Sequence, residues 1–284
     1  MSPILPNKTE FIPQAPANEH EIFMAMRTYP DNVKVYHPHG RIDATSVFWH
    51  NKLHPTTQNF AVYVDPKATE QTVLFPRILG DIEKLAWKFS NNQMITRDYV
   101  PQHPFNQWLQ TKRFRLVDTV LTAELATDQL NLKQTVQLNK NRILSFSQLM
   151  AQPTLLKRVL KQSLNDYRGQ QRYDPAIAIP LADWQALISD KVVLDAPSVL
   201  LDDGGKPAAY SLLSGTSENI RLGLMSGNTA KGLNQLLNTQ LAWIKNNSKN
   251  LSGYFHTNRQ LDMKIIKSLP FNIENRYETL KRLS

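Results

Sequence analysis

Residues 229–234 combine the residue types that bind phosphate, and they lie where an amphipathic helix is predicted to begin. Gly232 would let the backbone approach an anion closely, and Lys231 carries a positive charge beside it. The unpaired amides and the positive dipole end of a helix N-terminus also attract an anion. A solvated loop before a helix could contain the same single glycine, so that interpretation stays open.

The predicted order of elements around this turn is βββαβαβ. A hairpin is indicated by two apolar runs around the turn formers Asp202, Asp203, Gly204 and Gly205, and the later apolar patterns alternate between strand and helix. The predicted spans are strands at 198–201, 207–213, 219–225, 251–256 and 273–280, with helices from about 230 and at 261–268. Before the hairpin we expect a strand at 142–148, a helix at 154–167 with Thr154 as N-cap, and a helix at 181–189.

The first half of the chain repeats this order. Its predicted spans are strands at 33–36, 42–49, 60–64, 94–100 and 115–124, a turn at 37–40, a further segment at 105–110, and a helix with an apolar stripe between Phe75 and Phe89. Pro76 is expected in the first turn of that helix. Opposite Gly232 this copy has Leu74, Phe75 or Pro76, and none suits a phosphate cradle because two are bulky and proline lacks an amide donor.

Two sibling domains therefore account for the 284 residues, of which 41% are hydrophobic. The predicted limits are an N-terminal domain at 1–126, a Gln- and Asn-rich link at 127–140 and a C-terminal domain at 141–284. The chain has no cysteine, which excludes disulfides, a thiol nucleophile and Cys-containing metal sites. This favours an intracellular protein, and we expect a cytoplasmic one without a membrane-spanning segment.

The charge of +9 attracts anionic partners, whether a phosphate-bearing small molecule, nucleic acid or an acidic surface. Its densest cluster, Lys157, Arg158 and Lys161, falls on the outer face of a predicted helix without a nucleic-acid-binding motif, so we expect no nucleic-acid partner. Histidines at 37, 39, 50 and 54 flank a strand of about nine residues. They would lie near opposite sheet ends at about 3.3 Å per residue, and we expect no metal site.

On these elements the chain resembles the GNAT superfamily of acyl-CoA N-acyltransferases, in tandem. The GNAT phosphate turn, Gln/Arg-x-x-Gly-x-Gly/Ala, reads here Thr229, Ala230, Lys231, Gly232, Leu233 and Asn234. Asn258 lies one residue from the place of the family's asparagine, Phe271 ends the next helix as in the family, and Ile266 stands where the family has a tyrosine. The resemblance implies an α+β fold of two domains, each with a mixed, mostly antiparallel central sheet flanked by helices. Its N-terminal copy would be degenerate.

The resemblance also implies site roles. Acetyl-CoA would be the acyl donor, its carbonyl contacting a backbone amide at Leu224 or Met225, and Asn258 would lie beside the cofactor. By position, Glu218 and His256 are the candidate general bases. Tyr254 and Tyr210 are the candidate acids for the departing thiolate. Each also has an ordinary interpretation: an exposed loop carboxylate, a polar residue at a strand end, and tyrosines in a strand.

The function implied is acyl-CoA-dependent N-acyltransfer, with acetyl transfer to a primary amine of a small molecule or peptide. Loops near Arg168 and Arg172 could line the acceptor cleft and would suit an acidic substrate. The alternative is a non-catalytic protein that binds acyl-CoA or another ligand on degenerate GNAT domains, which the substitution at Ile266 favours. A third interpretation resembles the tandem-GNAT aminoacyl-tRNA-dependent peptidyltransferases, whose helical arm this chain lacks.

Overall fold

The structure, a computed structural model, describes residues 20–37, 42–89, 93–131 and 142–282. The predicted turn at 37–40 and most of the predicted link at 127–140 lie outside these residues. Residues 127–129 form a 3-10 turn after the last strand of the first half.

The elements of the first half follow the predicted order. They are α1 (His20–Thr28), β1 (Val33–Tyr36), β2 (Ala44–Asn51), β3 (His54–Val64), α2 (Gln71–Lys88), β4 (Gln93–Tyr99), α3 (Pro104–Leu109) and β5 (Phe114–Ala126). The predicted position of Pro76 is wrong, because α2 begins at Gln71 and the proline is its sixth residue. It removes one amide donor inside the helix rather than in the unpaired first turn. Strand β3 also begins six residues earlier than predicted.

The second half agrees with the predicted elements more closely. They are β6 (Ile143–Ser145), α4 (Phe146–Met150), α5 (Pro153–Gln170), α6 (Leu181–Ser189), β7 (Pro197–Leu201), β8 (Pro207–Gly215), β9 (Asn219–Gly227), α7 (Ala230–Asn247), β10 (Asn250–His256), α8 (Gln260–Ser268) and β11 (Asn272–Arg282). Two predictions are wrong here. The strand expected to reach Gln148 ends at Ser145, whose capping box with Gln148 starts α4. Helix α5 is preceded by Gln152 and begins with Pro153, so Thr154 is not its N-cap.

The chain forms two compact units that do not coincide with its sequence halves. Unit 1 contains the described residues up to Thr119, Tyr173–Pro175 and those from Arg276 onward, and unit 2 contains Val120–Arg172 and Ala176–Asn275. The last strand of each half pairs in the unit built mainly from the other half: β11 pairs with β4 in unit 1, and β5 pairs with β10 in unit 2. The limits at 126 and 141 therefore remain a prediction about the sequence repeat.

Unit 1 is a mixed sheet with strand order β1-β2-β3-β4-β11. Its β3–β4 pair is parallel, while the β1–β2, β2–β3 and β4–β11 pairs are antiparallel. Helix α2 buries its apolar stripe against one face, where Ile78 and Ile82 pack with Phe60. Helix α1 covers the opposite face, where Met26 packs with Val47.

Unit 2 has strand order β6-β7-β8-β9-β10-β5. Its β9–β10 pair is parallel and its other pairs are antiparallel. Leu241 and Ile244 of α7 pack with Leu251 and Phe255 of β10. Helix α5 packs against β8 and β9, with Val159 buried, and the predicted outer face of this helix is exposed. The predicted α+β class, with a mixed sheet flanked by helices, is confirmed.

Arg113 is the one non-glycine residue with a positive φ among the described residues, at 65°. A side chain in this left-handed conformation costs roughly 1–2 kcal/mol, whereas glycine adopts it freely but loses more entropy on folding. We predict that Arg113→Gly raises the free energy of unfolding by about 0.5–1 kcal/mol. Urea denaturation checks this, with Arg113→Ala as a control that keeps the strain. Equal stability of the two variants would contradict the prediction.

Candidate functional site

Strands β9 and β10 pair with each other over only a short distance. Residues 219–221 pair with residues 250–252, and both strands then continue without further pairing between them. Strand β9 runs on to Gly227 and β10 to His256. The divergence leaves an opening in the sheet whose edges carry backbone donors and acceptors that no ladder between these two strands uses.

A β-bulge lies on the β9 side of this opening. The β8–β9 register passes from Ser211 opposite Met225 to Leu213 opposite Leu222, so β9 holds one extra residue at Gly223 and Leu224. A side chain at Gly223 would not fit, because its Cβ would lie 2.5 Å from the carbonyl oxygen of Leu212. The bulge takes the backbone of Leu224 out of the regular ladder, while Met225, the other predicted carbonyl-binding residue, stays opposite Ser211.

The predicted phosphate turn follows directly after β9. Thr229 is the N-cap of α7, and its hydroxyl accepts a hydrogen bond of 3.1 Å from the amide of Gly232. Ala230 and Lys231, at the first two helical positions, are exposed, and amides at these positions have no partner within a helix. The segment is therefore a helix N-terminus with two outward amides and a lysine, which can hold an anion.

Packing fixes the approach of β9 to this helix. A Cβ at Gly227 would lie 3.0 Å from the Cβ of Leu233, so the strand end and the helix start are in close contact. The backbone amide of Asn228 donates to the carbonyl of Ala208 at 2.8 Å. Leu233 is buried in the core and Asn234 is exposed, so of these two predicted residues only Asn234 reaches solvent.

Tyr254 and His256 lie on the β10 side of the opening. They alternate with the buried Gly253 and Phe255, so they point away from the α7 face of the sheet. Counted from the last β9–β10 pair, they are level with the bulge on β9. Tyr254 is 53% exposed, and the Arg221 guanidinium lies 4.8 Å from the centre of its ring. The structure thus brings Tyr254 and His256 to the same level as Leu224 and Met225.

Glu218 is not brought to this place. It precedes β9, at the end of the sheet where β9 and β10 are still paired, and it is exposed in an ion pair of 2.8 Å with Lys249. Six residues separate it from Leu224, which corresponds to roughly 20 Å along a strand.

Tyr210 is fully buried, and its hydroxyl donates to the Asp166 carboxylate at 2.8 Å. Burial and this carboxylate raise the pKa of Tyr210 above its ordinary value, so its contacts are those of a packed structural residue.

The turn after β10 lies at the same sheet end as His256. Asn258 is exposed there, and the neighbouring Arg259 donates to the side-chain oxygen of Gln170 at 3.1 Å. The backbone amide of His256 donates to the Asp262 carboxylate at 2.9 Å, which fixes the strand end to α8. Within the described ranges there is no group of three or more His, Cys, Asp or Glu side chains that could hold a metal ion.

Two solved structures that match most of this chain have names that place them among GNAT proteins. A GCN5-related N-acetyltransferase from Sphaerobacter thermophilus matches 88% of this chain and 80% of its own length, with a TM-score of 0.60 and 11% identity. A tandem GNAT protein from the clavulanic acid biosynthesis pathway matches 96% of this chain and 90% of its own, with a TM-score of 0.51 and 12% identity. The chain has the GNAT fold.

Similarity at the sequence level is below detection. No protein-family profile matches the chain. No curated protein matches it either. At 11–12% identity the solved structures establish the GNAT fold and not the activity.

Unit 1 has a similar divergence between its parallel strands but lacks the bulge and the small residue at the helix start. Residues 57–59 of β3 pair with residues 93–95 of β4, the only pairs between these strands, as in unit 2. The β2–β3 register, however, is unbroken from residue 58 to residue 64, so β3 has no bulge there. Glu70 occupies the N-cap position of α2, and a carboxylate there disfavours a phosphate.

The structure also corrects the repeat alignment. Helices α2 and α7 are both 18 residues long, and aligning their first residues places Val73 opposite Gly232, rather than Leu74, Phe75 or Pro76. Val73 is 66% exposed and is bulky, so the corrected residue suits a phosphate cradle no better. Ile266, at the family's tyrosine position, is half-buried against the unit 2 core.

Sequence reasoning missed the bulge at Gly223 and the position of Arg221. A glycine inside a predicted strand is a known signal for a bulge or a close backbone approach, and Gly223 is such a glycine. Arg221 gave no signal, because its place beside Tyr254 depends on which residues pair between β9 and β10.

We predict that Gly223→Ala lowers the free energy of unfolding by about 1–3 kcal/mol, because the new Cβ overlaps the carbonyl oxygen of Leu212. Chemical denaturation checks this. Gly169→Ala on α5 is the control: apart from the backbone of its own helix and its chain neighbours, no atom lies within 4 Å of the position of the new Cβ, so it should be neutral or stabilising by up to about 1 kcal/mol. Unchanged stability of Gly223→Ala would contradict the close approach at the bulge.

Proposed function

We propose that the protein transfers an acyl group, with acetyl as the expected group, from acyl-CoA to a primary amine at the opening in unit 2. The observation that carries the proposal is the continuity of one segment. The bulge at Leu224, the close approach at Gly227 and the N-terminus of α7 follow each other within nine residues. In unit 1 the equivalent segment has neither the bulge nor a small residue at the helix start.

The residues present fit acetyl-CoA. The amides of Ala230 and Lys231 at the first two helical positions, the lysine charge and the lack of a side chain at Gly232 suit a pyrophosphate. The acyl thioester supplies an electrophilic carbonyl when the cofactor is bound. Backbone amides of Leu224 and Met225 would donate to the carbonyl oxygen and stabilise the charge that develops on it.

Tyr254 and His256 would act on the acceptor side. An amine attacks only after losing a proton, and His256 is the candidate that accepts it, directly or through water. The Tyr254 hydroxyl is the candidate acid for the departing thiolate. Glu218 is too far along β9 to take part, and its ion pair with Lys249 accounts for it. The acceptor is proposed to be a small-molecule or peptide amine, with no nucleic acid partner.

A non-catalytic acyl-CoA-binding protein is the second candidate. It is favoured by Ile266, which cannot protonate a thiolate. It is also favoured by the Thr229 hydroxyl, which accepts the hydrogen bond of the Gly232 amide and so leaves that amide less available to a phosphate. The two candidates share the cofactor site and differ in whether Tyr254 and His256 act on a substrate.

The part of the chain that the structure describes holds no helix long and apolar enough to cross a membrane. The cytoplasm remains the expected compartment.

Binding of acetyl-CoA tests what both candidates share. We predict micromolar affinity for the wild type by calorimetry and a loss of at least about tenfold in Gly232→Glu, because its carboxylate would repel the pyrophosphate. The new Cβ would lie 3.3 Å from the Thr229 hydroxyl, a tight contact, but the new carboxylate and Thr229 have the spacing of a capping box, which offsets its cost to the helix.

Val73→Glu is the matched control. It places the same charge at the third residue of α2 and should leave acetyl-CoA affinity unchanged. Absence of acetyl-CoA binding to the wild type would discard both candidates. An equal loss of affinity in Val73→Glu would contradict a cofactor site in unit 2.

Turnover separates the two candidates. With acetyl-CoA and a panel of primary amines, we predict thiol release that falls about 10²–10⁴-fold in His256→Ala, the usual effect of removing a general base. Glu218→Gln, the control, should keep full activity. Acetyl-CoA binding without turnover of any amine would favour the binding protein, and full activity of His256→Ala would remove this residue from the mechanism.

A further inference from the structure

The loop between α5 and α6 is anchored by a carboxylate. Residues 171–180 are all described, and Asp174 is the one buried residue among them, at 8% exposure. Its neighbours Arg172, Tyr173 and Pro175 are exposed. A charged side chain is rarely buried unless it is paired, so the surroundings of Asp174 must replace the water it has lost.

Unit 1, to which Tyr173–Pro175 belong, provides those surroundings. The Nδ1 of His54 lies 2.6 Å from the backbone oxygen of Asp174, and because a carbonyl only accepts, Nδ1 carries the proton. The same Nδ1 is 3.4 Å from the Asp174 carboxylate, and a guanidinium nitrogen of Arg97 is 3.6 Å from its other oxygen. The loop is therefore contacted through both its backbone and its one buried side chain.

Two further hydrogen bonds hold the loop and its ion-pair partner Arg97 in place. Arg97 also donates to the side-chain oxygen of Asn59 at 2.7 Å, which holds the guanidinium on the sheet. The ammonium of Lys281 donates to the backbone oxygen of Tyr173 at 2.7 Å. These residues come from β3, β4 and β11, so the rigid sheet of unit 1 and not a mobile loop presents them.

The site favours the ionised carboxylate. Burial by itself raises the pKa of Asp174, but the neighbouring polar side chains of His54 and Thr57 and the positive charge of Arg97 outweigh it, so the pKa lies below its ordinary value. Burial lowers the pKa of Lys281, and the negative charge of Asp174 partly opposes this shift.

We propose that His54 and Arg97 form a carboxylate-binding socket in unit 1, with Lys281 holding the neighbouring carbonyl of Tyr173, and that the chain's own Asp174 fills it as an internal ligand. The proposal does not depend on acyl transfer. It gives the degenerate first copy a binding role, with an occupant supplied by the chain itself.

Limited proteolysis tests the socket in the intact protein. Trypsin can cut after the exposed Arg172, two residues before Asp174, and mass spectrometry identifies that cut. We predict that Asp174→Ala raises its rate about tenfold, the effect expected when a charge-assisted anchor is lost. Formate or acetate should return the rate toward that of the wild type by occupying the emptied socket, whereas chloride at equal ionic strength should not.

Two variants act as controls. Asp183→Ala removes an exposed carboxylate from α6 and should leave the cleavage rate unchanged. Arg97→Met keeps Asp174 and weakens the socket, so it should also raise cleavage, and it keeps the test available if Asp174→Ala does not fold.

An unchanged rate in Asp174→Ala, or in Arg97→Met where only that variant folds, would overturn the proposal. A raised rate that formate does not reduce in Asp174→Ala would overturn it as well. Acetyl-CoA affinity, measured in parallel, should be unaffected by Asp174→Ala. Failure of the wild type to bind acetyl-CoA would therefore count against the proposed function and not against the socket.

Discussion

The account of this protein depends on the short pairing between β9 and β10. Two parallel strands that separate after three residue pairs leave a gap in an otherwise hydrogen-bonded sheet. Backbone groups at such a gap need partners, and a ligand can provide them. The bulge at Gly223 and Leu224 places one edge of the gap out of register, and the N-terminus of α7 lies at the end of that same strand. Backbone geometry, more than any catalytic side chain, defines the site.

The two units differ in the features that the proposed site adds to an opening in the sheet. In both units two parallel strands are paired over three residue pairs and then diverge. Only the β9 edge also has a bulge, and only α7 begins with a hydroxyl cap and a glycine, whereas α2 begins after Glu70 and carries Val73. The fold alone therefore does not indicate a function in unit 1. The seating of Asp174 on the sheet of that unit gives it a different role.

Local patterns predicted most elements and the turn at Gly232, because apolar periodicity and turn residues act over a few neighbours. Helix α6 and the β7–β8 hairpin follow directly from such patterns. The exchange of β5 and β11 between the halves could not be predicted, because the alternation of residues in a strand does not indicate which other strand it pairs with. The bulge depends on the register with β8, and the burial of Asp174 depends on residues far away in the chain, such as His54 at a separation of 120 positions. Pro76 was misplaced because the sequence around it is helical on both sides.

The central claim is that backbone amides on the β9 edge and at the start of α7 hold the cofactor. Amide-detected NMR of the protein during an acetyl-CoA titration tests it most directly. The account predicts that the amide signals of Leu224, Met225, Ala230 and Lys231 shift most, while those of residues 71–73 at the start of α2 do not move. Shifts that cluster at the start of α2, or that leave these four amides unchanged, would contradict it.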